Sequence, residues 1–259
     1  MVSTPTLVLD CDGTLSDTER YGHLPAFNAT LEQEGLDVQW SEDDYEQLLR
    51  IGGGKERMAT LLTPDFARAH GLPADPDGRR DLLDRWHRAK TATYVAMADR
   101  GELPPRPGIT RVLTAALDAG WAVAVASTSA VASVAAIVRA AVGPELAARI
   151  PVFAGDAVPA KKPAPDIYTL ALAELGADPA RTLAVEDSRN GFLAATAAGL
   201  RCLVTVNGYT RSEDFDGAVL VLSCLGDPDG EAAEVLSDPH DIHPGQVVTL
   251  DDLTRCLTA

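Results

Sequence analysis

Two aspartates end an apolar segment near the start of the chain. Residues 6–14 read TLVLDCDGT, so a run of strand type stops at Asp10 and Asp12. In an extended chain residues i and i+2 point to the same side, so both carboxylates can flank one small group. Gly13 would let the backbone approach that group closely. The alternative is a strand followed by an Asx turn without chemistry, and the pair alone leaves both interpretations open.

Further polar side chains follow later apolar runs. They are Ser127, Lys161 with Lys162, and Glu186 with Asp187. Apolar strands alternate with helical patterns over this part of the chain, which predicts a doubly wound, Rossmann-like α/β fold with a mostly parallel sheet. Ligands of such sheets bind at the carboxyl ends of the strands, so all four polar groups are expected at one edge.

The side chains expected at that edge suit a metal ion and a phosphate. Two carboxylate clusters held together repel each other unless a cation intervenes, and carboxylate oxygens with water are the ligands of Mg²⁺. A hydroxyl and a lysine can neutralise and hydrogen-bond a transferring phosphoryl group. Taken singly, Ser127 could merely end a strand, and Glu186 with Asp187 could cap the following helix. Their convergence favours a Mg²⁺-dependent phosphate site.

Residues 17–101 lack strand patterns and are predicted to form an all-helical insert. Ser41 and Asp44 resemble a capping box, and three glycines at 52–54 precede another helix. Residues 104–108 read PPRPG, a stiff return to a different domain. The α/β core is therefore expected to be discontinuous, from residues 1–16 and 102–259.

The end of the chain is less regular. Residues 218–222 could form one more strand, and residues 226–246 are an acidic, turn-rich tail segment. Residues 247–257 could close the chain as a helix or as a strand.

Composition excludes several classes of partner. The chain has 259 residues and a formal net charge of -16, so it lacks the basic surface of a nucleic-acid binder and would be repelled by anionic membranes. Its four cysteines lie far apart without CxxC spacing, which predicts reduced core residues. Neither a signal peptide nor a membrane-spanning run is evident. A cytoplasmic, monomeric enzyme is expected.

The motifs together resemble the haloacid dehalogenase-like (HAD) superfamily of phosphatases and phosphomutases. Residues 10–14 match its DxDGT motif, and the other matches are a hydroxyl at Ser127, a lysine at Lys162 and an acidic pair at Glu186 and Asp187. Lys162 matches better than Lys161 because Pro163 follows it. The four motifs occur in the right order across nearly 180 residues, counted from Asp10 to Asp187.

The helical insert resembles the cap of the beta-phosphoglucomutase-like branch of that superfamily, and more narrowly that of CbbY-like proteins. The residues that carry this likeness include Glu19, Tyr45, Gly54, Lys55 and Arg57. The likeness implies a phosphorylated sugar as substrate, such as xylulose 1,5-bisphosphate, with these five residues binding it. Residues 53–57 would receive a second phosphate, although a flexible joint before a solvated helix is the alternative.

The same resemblance implies the catalytic roles. Asp10 would attack phosphorus and form an aspartyl phosphate, and Asp12 would act as general acid and base. Ser127 and Lys162 would hold phosphoryl oxygens. The predicted metal ligands are Asp10, Asp12 through its carbonyl, Glu186 and Asp187.

Two alternatives to a phosphatase remain at this point. A phosphomutase of the beta-phosphoglucomutase type would use the same residues but shield its aspartyl phosphate from water. A phosphoryl-accepting or phosphate-binding module without turnover would combine acids, a hydroxyl and a lysine around Mg²⁺, but would not need the helical insert. His23 and His87 are expected to be surface or packing residues.

Overall fold

A seven-stranded sheet forms the main element of the described chain, residues 4–155 and 157–259 of a computed structural model. Its strands are β1 (Thr6–Leu9), β2 (Ala122–Ala126), β3 (Val152–Phe153), β4 (Thr182–Glu186), β5 (Arg201–Thr205), β6 (Leu220–Leu222) and β7 (Val235–Ser237). They lie in the order β3-β2-β1-β4-β5-β6-β7, all parallel except β7, which pairs antiparallel with β6. The predicted doubly wound, mostly parallel α/β fold is confirmed.

Helices fill the rest of the regular structure. The first five are α1 (Leu24–Gln33), α2 (Glu42–Leu48), α3 (Gly54–Ala59), α4 (Pro64–Ala69) and α5 (Pro76–Asp99), preceded by a π-helical turn over Glu19–His23. The others are α6 (Ile109–Asp118), α7 (Val131–Ala147), α8 (Asp166–Leu175), α9 (Arg189–Ala197) and α10 (Leu250–Thr258), with a 3₁₀ turn over Pro179–Arg181.

The chain divides into two compact units. The sheet unit consists of residues 1–17 and 103–259, and the helical unit of residues 18–102. The insert expected from the sequence, residues 17–101, is offset from the helical unit by one residue at each end.

Burial explains why the sheet strands read as unbroken apolar runs. Leu7, Val8 and Leu9 of β1 are fully buried, and β1 pairs with β2 on one side and β4 on the other. Burying a side chain of this size stabilises a fold by roughly 1.5–3 kcal/mol. The core around Val8 includes Tyr168 of α8 and Phe192 of α9, so these helices pack on the central strands.

The helical unit has a separate core. Phe27, Tyr45, Met58 and Trp86 pack together there and are almost completely buried. Ser41 accepts a hydrogen bond from the backbone N–H of Asp44, whose side chain accepts one from the Ser41 N–H, so the predicted capping box is present.

Buried polar side chains lie in the same unit, among them His23 and Lys90. His23 is buried, stacks on Tyr94 with ring centroids 4.4 Å apart, and contacts the buried Lys90.

The C-terminal segment packs onto the sheet unit. Residues 226–246, expected to be turn-rich, contain the edge strand β7, whose three residues are exposed and too few to show the alternation that marks a strand. The closing segment is a helix, α10, with a second capping box from Thr249 and Asp252. Arg111 of α6 fixes this region by donating hydrogen bonds to the carbonyl oxygens of Leu225, Gly226 and Val248. No helix within the described residues is long and apolar enough to cross a membrane.

Candidate active site

Asp10 follows β1 directly and belongs to the central part of the sheet. Its backbone N–H donates to the Val185 carbonyl at 2.9 Å, which continues the ladder between β1 and β4. The residue is 8% exposed. The carboxylate therefore lies at the carboxyl end of the strands, where ligands of such sheets bind.

Lys162 joins two of the predicted acidic residues. Its Nζ lies 2.6 Å from Asp10 Oδ1 and 2.6 Å from Glu186 Oε1, and it donates to the Ala126 carbonyl at 2.9 Å. The Tyr168 hydroxyl donates a further hydrogen bond to Glu186 Oε1. One buried ammonium thus connects the ends of β1, β2 and β4.

Three carboxylates form a group that could hold a cation. One oxygen each from Asp10, Glu186 and Asp187 lies within 4.8 Å of the others, and all three residues are buried. Oxygen-only donors of this kind fit Mg²⁺. Buried carboxylates at this spacing repel one another, and a bound dication would offset that repulsion. Among the described residues this carboxylate group does not include Asp12, so the proposed contact through the Asp12 carbonyl stays a prediction.

Burial and neighbouring carboxylates raise the pKa values of two acidic residues of the site, Asp10 and Asp187. Burial raises the pKa of Asp10 from its usual 3.8 to about 7, Glu186 and Asp12 add to the increase, and Lys162 opposes it. Burial also raises the pKa of Asp187 well above its ordinary value, with contributions from Asp10 and Glu186. Such shifts are typical of functional sites.

Ser129 forms hydrogen bonds to both Asp12 and Ser127. The Ser129 hydroxyl donates to Asp12 Oδ2, and the Ser129 backbone N–H donates to Ser127 Oγ at 3.1 Å. The hydroxyl of the segment after β2 is thus brought to the segment after β1. Ser129 was not predicted, although a second hydroxyl two residues after Ser127 was visible in the sequence.

Asn207 is a second residue that the sequence analysis missed. Its Nδ2 donates to Asp187 Oδ2 at 2.7 Å, and its Oδ1 accepts from the Tyr209 backbone N–H at 2.9 Å. A Cβ built on Gly13 would lie 2.1 Å from Asp187 Oδ2 and 2.6 Å from Asn207 Nδ2. Asp187 Oδ2 therefore accepts a hydrogen bond from an amide and lies against the backbone of Gly13.

Five of the predicted substrate residues, Glu19, Tyr45, Gly54, Lys55 and Arg57, lie in the helical unit, and Ser127 and Lys162 lie in the sheet unit. Three of the five meet. Tyr45 donates to Glu19 Oε2, and the Arg57 guanidinium donates to the Tyr45 hydroxyl at 2.8 Å and lies 3.3 Å from Glu19 Oε2. The Arg57 Nε also donates to the Ile51 carbonyl at 3.0 Å. These contacts hold Arg57 in one orientation.

The other two predicted substrate residues of the helical unit lie beside α5. Lys55 forms an ion pair with Asp84 at 2.7 Å. Gly54 opens α3, and a Cβ built on it would lie 3.3 Å from the His87 ring.

Known proteins are similar to this chain over most of its length. The sequence model of the haloacid dehalogenase-like hydrolases matches residues 4–199. A CBBY-like protein of Arabidopsis thaliana is 45% identical over 225 residues, covering 87% of this chain and 70% of that protein. Protein CbbY of Cereibacter sphaeroides is 42% identical, covering 90% of this chain and 97% of its own.

Solved structures agree with these matches. A CbbY mutant from Rhodobacter sphaeroides in complex with xylulose 1,5-bisphosphate superposes with a TM-score of 0.75 at 40% identity, covering 85% of this chain and 94% of that one. The chain belongs to the haloacid dehalogenase-like hydrolase family and is an enzyme of its phosphatase class. Within that family its similarity to the CbbY-like proteins is confirmed.

Proposed function

We propose that this enzyme is a Mg²⁺-dependent sugar-phosphate phosphatase that works through an aspartyl phosphate on Asp10. The observation that carries the proposal is the contact of one buried ammonium, Lys162, with both Asp10 and Glu186, beside a third carboxylate from Asp187. A pocket lined by carboxylates can bind a phosphate only if cations offset their negative charge. This site contains one cation, the Lys162 ammonium, and three carboxylates that could bind a second.

Asp10, Glu186 and Asp187 are the residues proposed to hold Mg²⁺, together with the Asp12 carbonyl. When bound, Mg²⁺ would neutralise charge on the phosphoryl group and orient it. It would also offset the burial and the carboxylate repulsion that together keep the pKa of Asp10 high, so that the carboxylate is available as an anion.

Asp10 is proposed to attack phosphorus, and water then hydrolyses the aspartyl phosphate. Asp12 would give a proton to the leaving oxygen and later take one from water. The hydrogen bond from Ser129 holds the Asp12 carboxyl in place for both steps. Lys162 and Ser127 would bind phosphoryl oxygens.

Glu19, Tyr45, Gly54, Lys55 and Arg57 are proposed to bind the sugar and its second phosphate. Support comes from the linked side chains of Glu19, Tyr45 and Arg57, and from the CbbY mutant that binds xylulose 1,5-bisphosphate. We therefore propose xylulose 1,5-bisphosphate or a similar small bisphosphorylated sugar as the substrate of a cytoplasmic, monomeric enzyme.

The test is steady-state release of inorganic phosphate from a panel of sugar phosphates that includes xylulose and ribulose bisphosphates and beta-glucose 1-phosphate. Asp10→Asn should abolish turnover while the protein stays folded, because an amide cannot attack phosphorus. Asp251→Asn, an exposed carboxylate on α10, is the control and should keep full activity. Substantial residual turnover in Asp10→Asn would contradict the nucleophile assignment.

The metal is tested separately. Excess chelator should stop phosphate release, and added Mg²⁺ should restore it. Ca²⁺ should inhibit, because its longer and looser coordination misplaces the reacting groups. Full activity in chelator would exclude the proposed mechanism.

A further inference from the structure

Arg106 makes an unusual set of contacts in the sheet unit. Its Nη1 donates to the carbonyl oxygens of Gly13 and of Thr205, the latter at 2.8 Å. Its Nη2 donates to the carbonyl oxygens of Val206 at 2.6 Å and Ser223 at 2.5 Å. One guanidinium thus links the loop after β1 with the ends of β5 and β6.

The Arg106 backbone anchors the same loop. Its N–H donates to the Leu15 carbonyl at 2.8 Å, and the neighbouring Pro104 carbonyl accepts from the Ser16 hydroxyl at 2.8 Å. Main chain and side chain therefore hold both ends of residues 13–16, directly after the aspartate pair.

Two of the segments that Arg106 holds, at Gly13 and at Val206, lie next to residues that contact Asp187. Gly13 faces the Asp187 carboxylate where a Cβ would collide with it, and Asn207, next in the chain after Val206, donates to Asp187 Oδ2. Burial lowers the pKa of the Arg106 guanidinium, and the negative charge of Asp187 opposes that decrease. A displacement of either held segment would change the position or hydrogen bonding of this carboxylate.

We propose that Arg106 is a positioning residue for the phosphatase reaction, acting through Gly13 and Asn207 to hold Asp187 in the geometry that binds Mg²⁺. This inference rests on the proposed function, because it assigns to Arg106 the support of the proposed metal ligand. Only a planar guanidinium with several N–H donors in a fixed fork can serve carbonyl oxygens from three segments at once. Lysine keeps the charge but offers a single nitrogen.

The chain contains a matched control. The Arg111 guanidinium also donates hydrogen bonds to three backbone carbonyl oxygens of the sheet unit, but these belong to the C-terminal segment. Arg106→Lys and Arg111→Lys therefore remove the same kind of hydrogen bonds, and both should lower the melting temperature. Only Arg106→Lys should lower the affinity for Mg²⁺.

The experiment is a calorimetric titration of the metal-free proteins with Mg²⁺ alone, followed by kcat and KM. Arg106→Lys should weaken Mg²⁺ binding by about 10-fold or more and lower kcat more than it raises KM, as removal of support around a ligand does. Arg111→Lys should bind Mg²⁺ like the wild type. Equal Mg²⁺ affinity in the two variants would overturn the inference.

A second variant keeps the test independent of folding defects. Asn207→Ala leaves the carbonyl contacts of Arg106 intact and should weaken Mg²⁺ binding by a similar factor with little change in melting temperature. Unchanged Mg²⁺ affinity in Asn207→Ala would also overturn the inference. A wild-type protein that neither binds Mg²⁺ nor releases phosphate would instead overturn the proposed function, and the inference with it.

Discussion

Lys162 sets the charge balance of the site. Burial lowers the pKa of its ammonium, but the carboxylates of Asp10 and Glu186 outweigh that effect and bring the pKa above its ordinary value. The side chain is therefore protonated throughout the range in which the enzyme could work. A permanent cation can hold a phosphoryl oxygen without a proton having to move, which is consistent with the proposal that Asp12 transfers the proton.

Arg57 is the residue whose replacement tests substrate choice. Arg57→Ala should reduce kcat/KM for a bisphosphate by roughly 10- to 100-fold more than for a monophosphate, because a charge-assisted contact is worth about 1.5–3 kcal/mol only when its partner is present. Part of the loss can fall on kcat, since distant binding energy contributes to the transition state. Steady-state kinetics on both substrates measures it.

Arg85 provides the control for that change. It forms an exposed ion pair with Glu34 at 2.6 Å in the same helical unit, and Arg85→Ala should affect neither substrate. Equal losses for both substrates in Arg57→Ala would mean that Arg57 only supports Tyr45 and Glu19.

At the scale of elements, the sequence predicts β1, β2 and β4 well because these strands are almost entirely buried and mostly apolar. The same pattern locates Asp10, Ser127 and Glu186, which directly follow or end β1, β2 and β4. Asn207 lies two residues after β5 and could have been found by a similar signal. Arg106 could not have been found in this way. Its partners are backbone carbonyl oxygens, which every residue type has, so the sequence does not show which residues it contacts.

The loop after β1 gives a prediction at this scale. Gly13 has φ +82°, and a Cβ there would also collide with the Asp187 carboxylate. Gly120 has φ +78°, and among the described residues no atom beyond its chain neighbours lies within 4 Å of a built Cβ. Gly13→Ala and Gly120→Ala should both lower the free energy of unfolding by roughly 1–2 kcal/mol from the positive φ alone.

Only Gly13→Ala should also displace Asp187, and it should therefore lose at least about 10-fold in Mg²⁺ affinity. Chemical denaturation and calorimetry measure the two effects. A Gly13→Ala protein with wild-type Mg²⁺ affinity would show that this contact is not needed to place the carboxylate.

The whole molecule carries a formal net charge of -16 and still buries several acidic side chains in one place. The family match ends at residue 199, whereas the sheet unit continues to residue 259. In that extension Arg201 donates to the carbonyl oxygen of Ala259 at 2.9 Å, which ties the chain end to β5. This tail was the least predictable segment, because β7 is short and exposed.

Buried acidic residues also make stability depend on pH. The pKa of Asp10 is raised from 3.8 to about 7 in the folded, metal-free protein, so its contribution to stability is present below about pH 4 and is lost as the pH rises through 7. Asp187 is raised in the same direction. Mg²⁺ competes with these protons for the carboxylates. The increase in melting temperature caused by Mg²⁺ should therefore be larger at about pH 8.5 than at about pH 5.5, two values on either side of the raised pKa of Asp10.

Thermal unfolding in Mg²⁺ and in chelator at each pH checks this expectation. The difference in melting temperature between the two conditions removes the contribution of titrating groups that lie away from the site. In Asp10→Asn the pH dependence of the difference should be weaker. A stabilisation by Mg²⁺ that is constant or falls with rising pH would contradict the assignment of these carboxylates to the metal.

The most direct test of the central claim is to trap the phosphoryl group on the enzyme. Xylulose 1,5-bisphosphate labelled on its phosphates is mixed with enzyme and Mg²⁺, the reaction is quenched with acid during turnover, and the labelled peptide is identified. The expected result is a label on Asp10 that appears before phosphate is released, decays when substrate is exhausted, and is absent from Asp10→Asn. Phosphate release without any labelled enzyme, or a label on a residue other than Asp10, would contradict the mechanism.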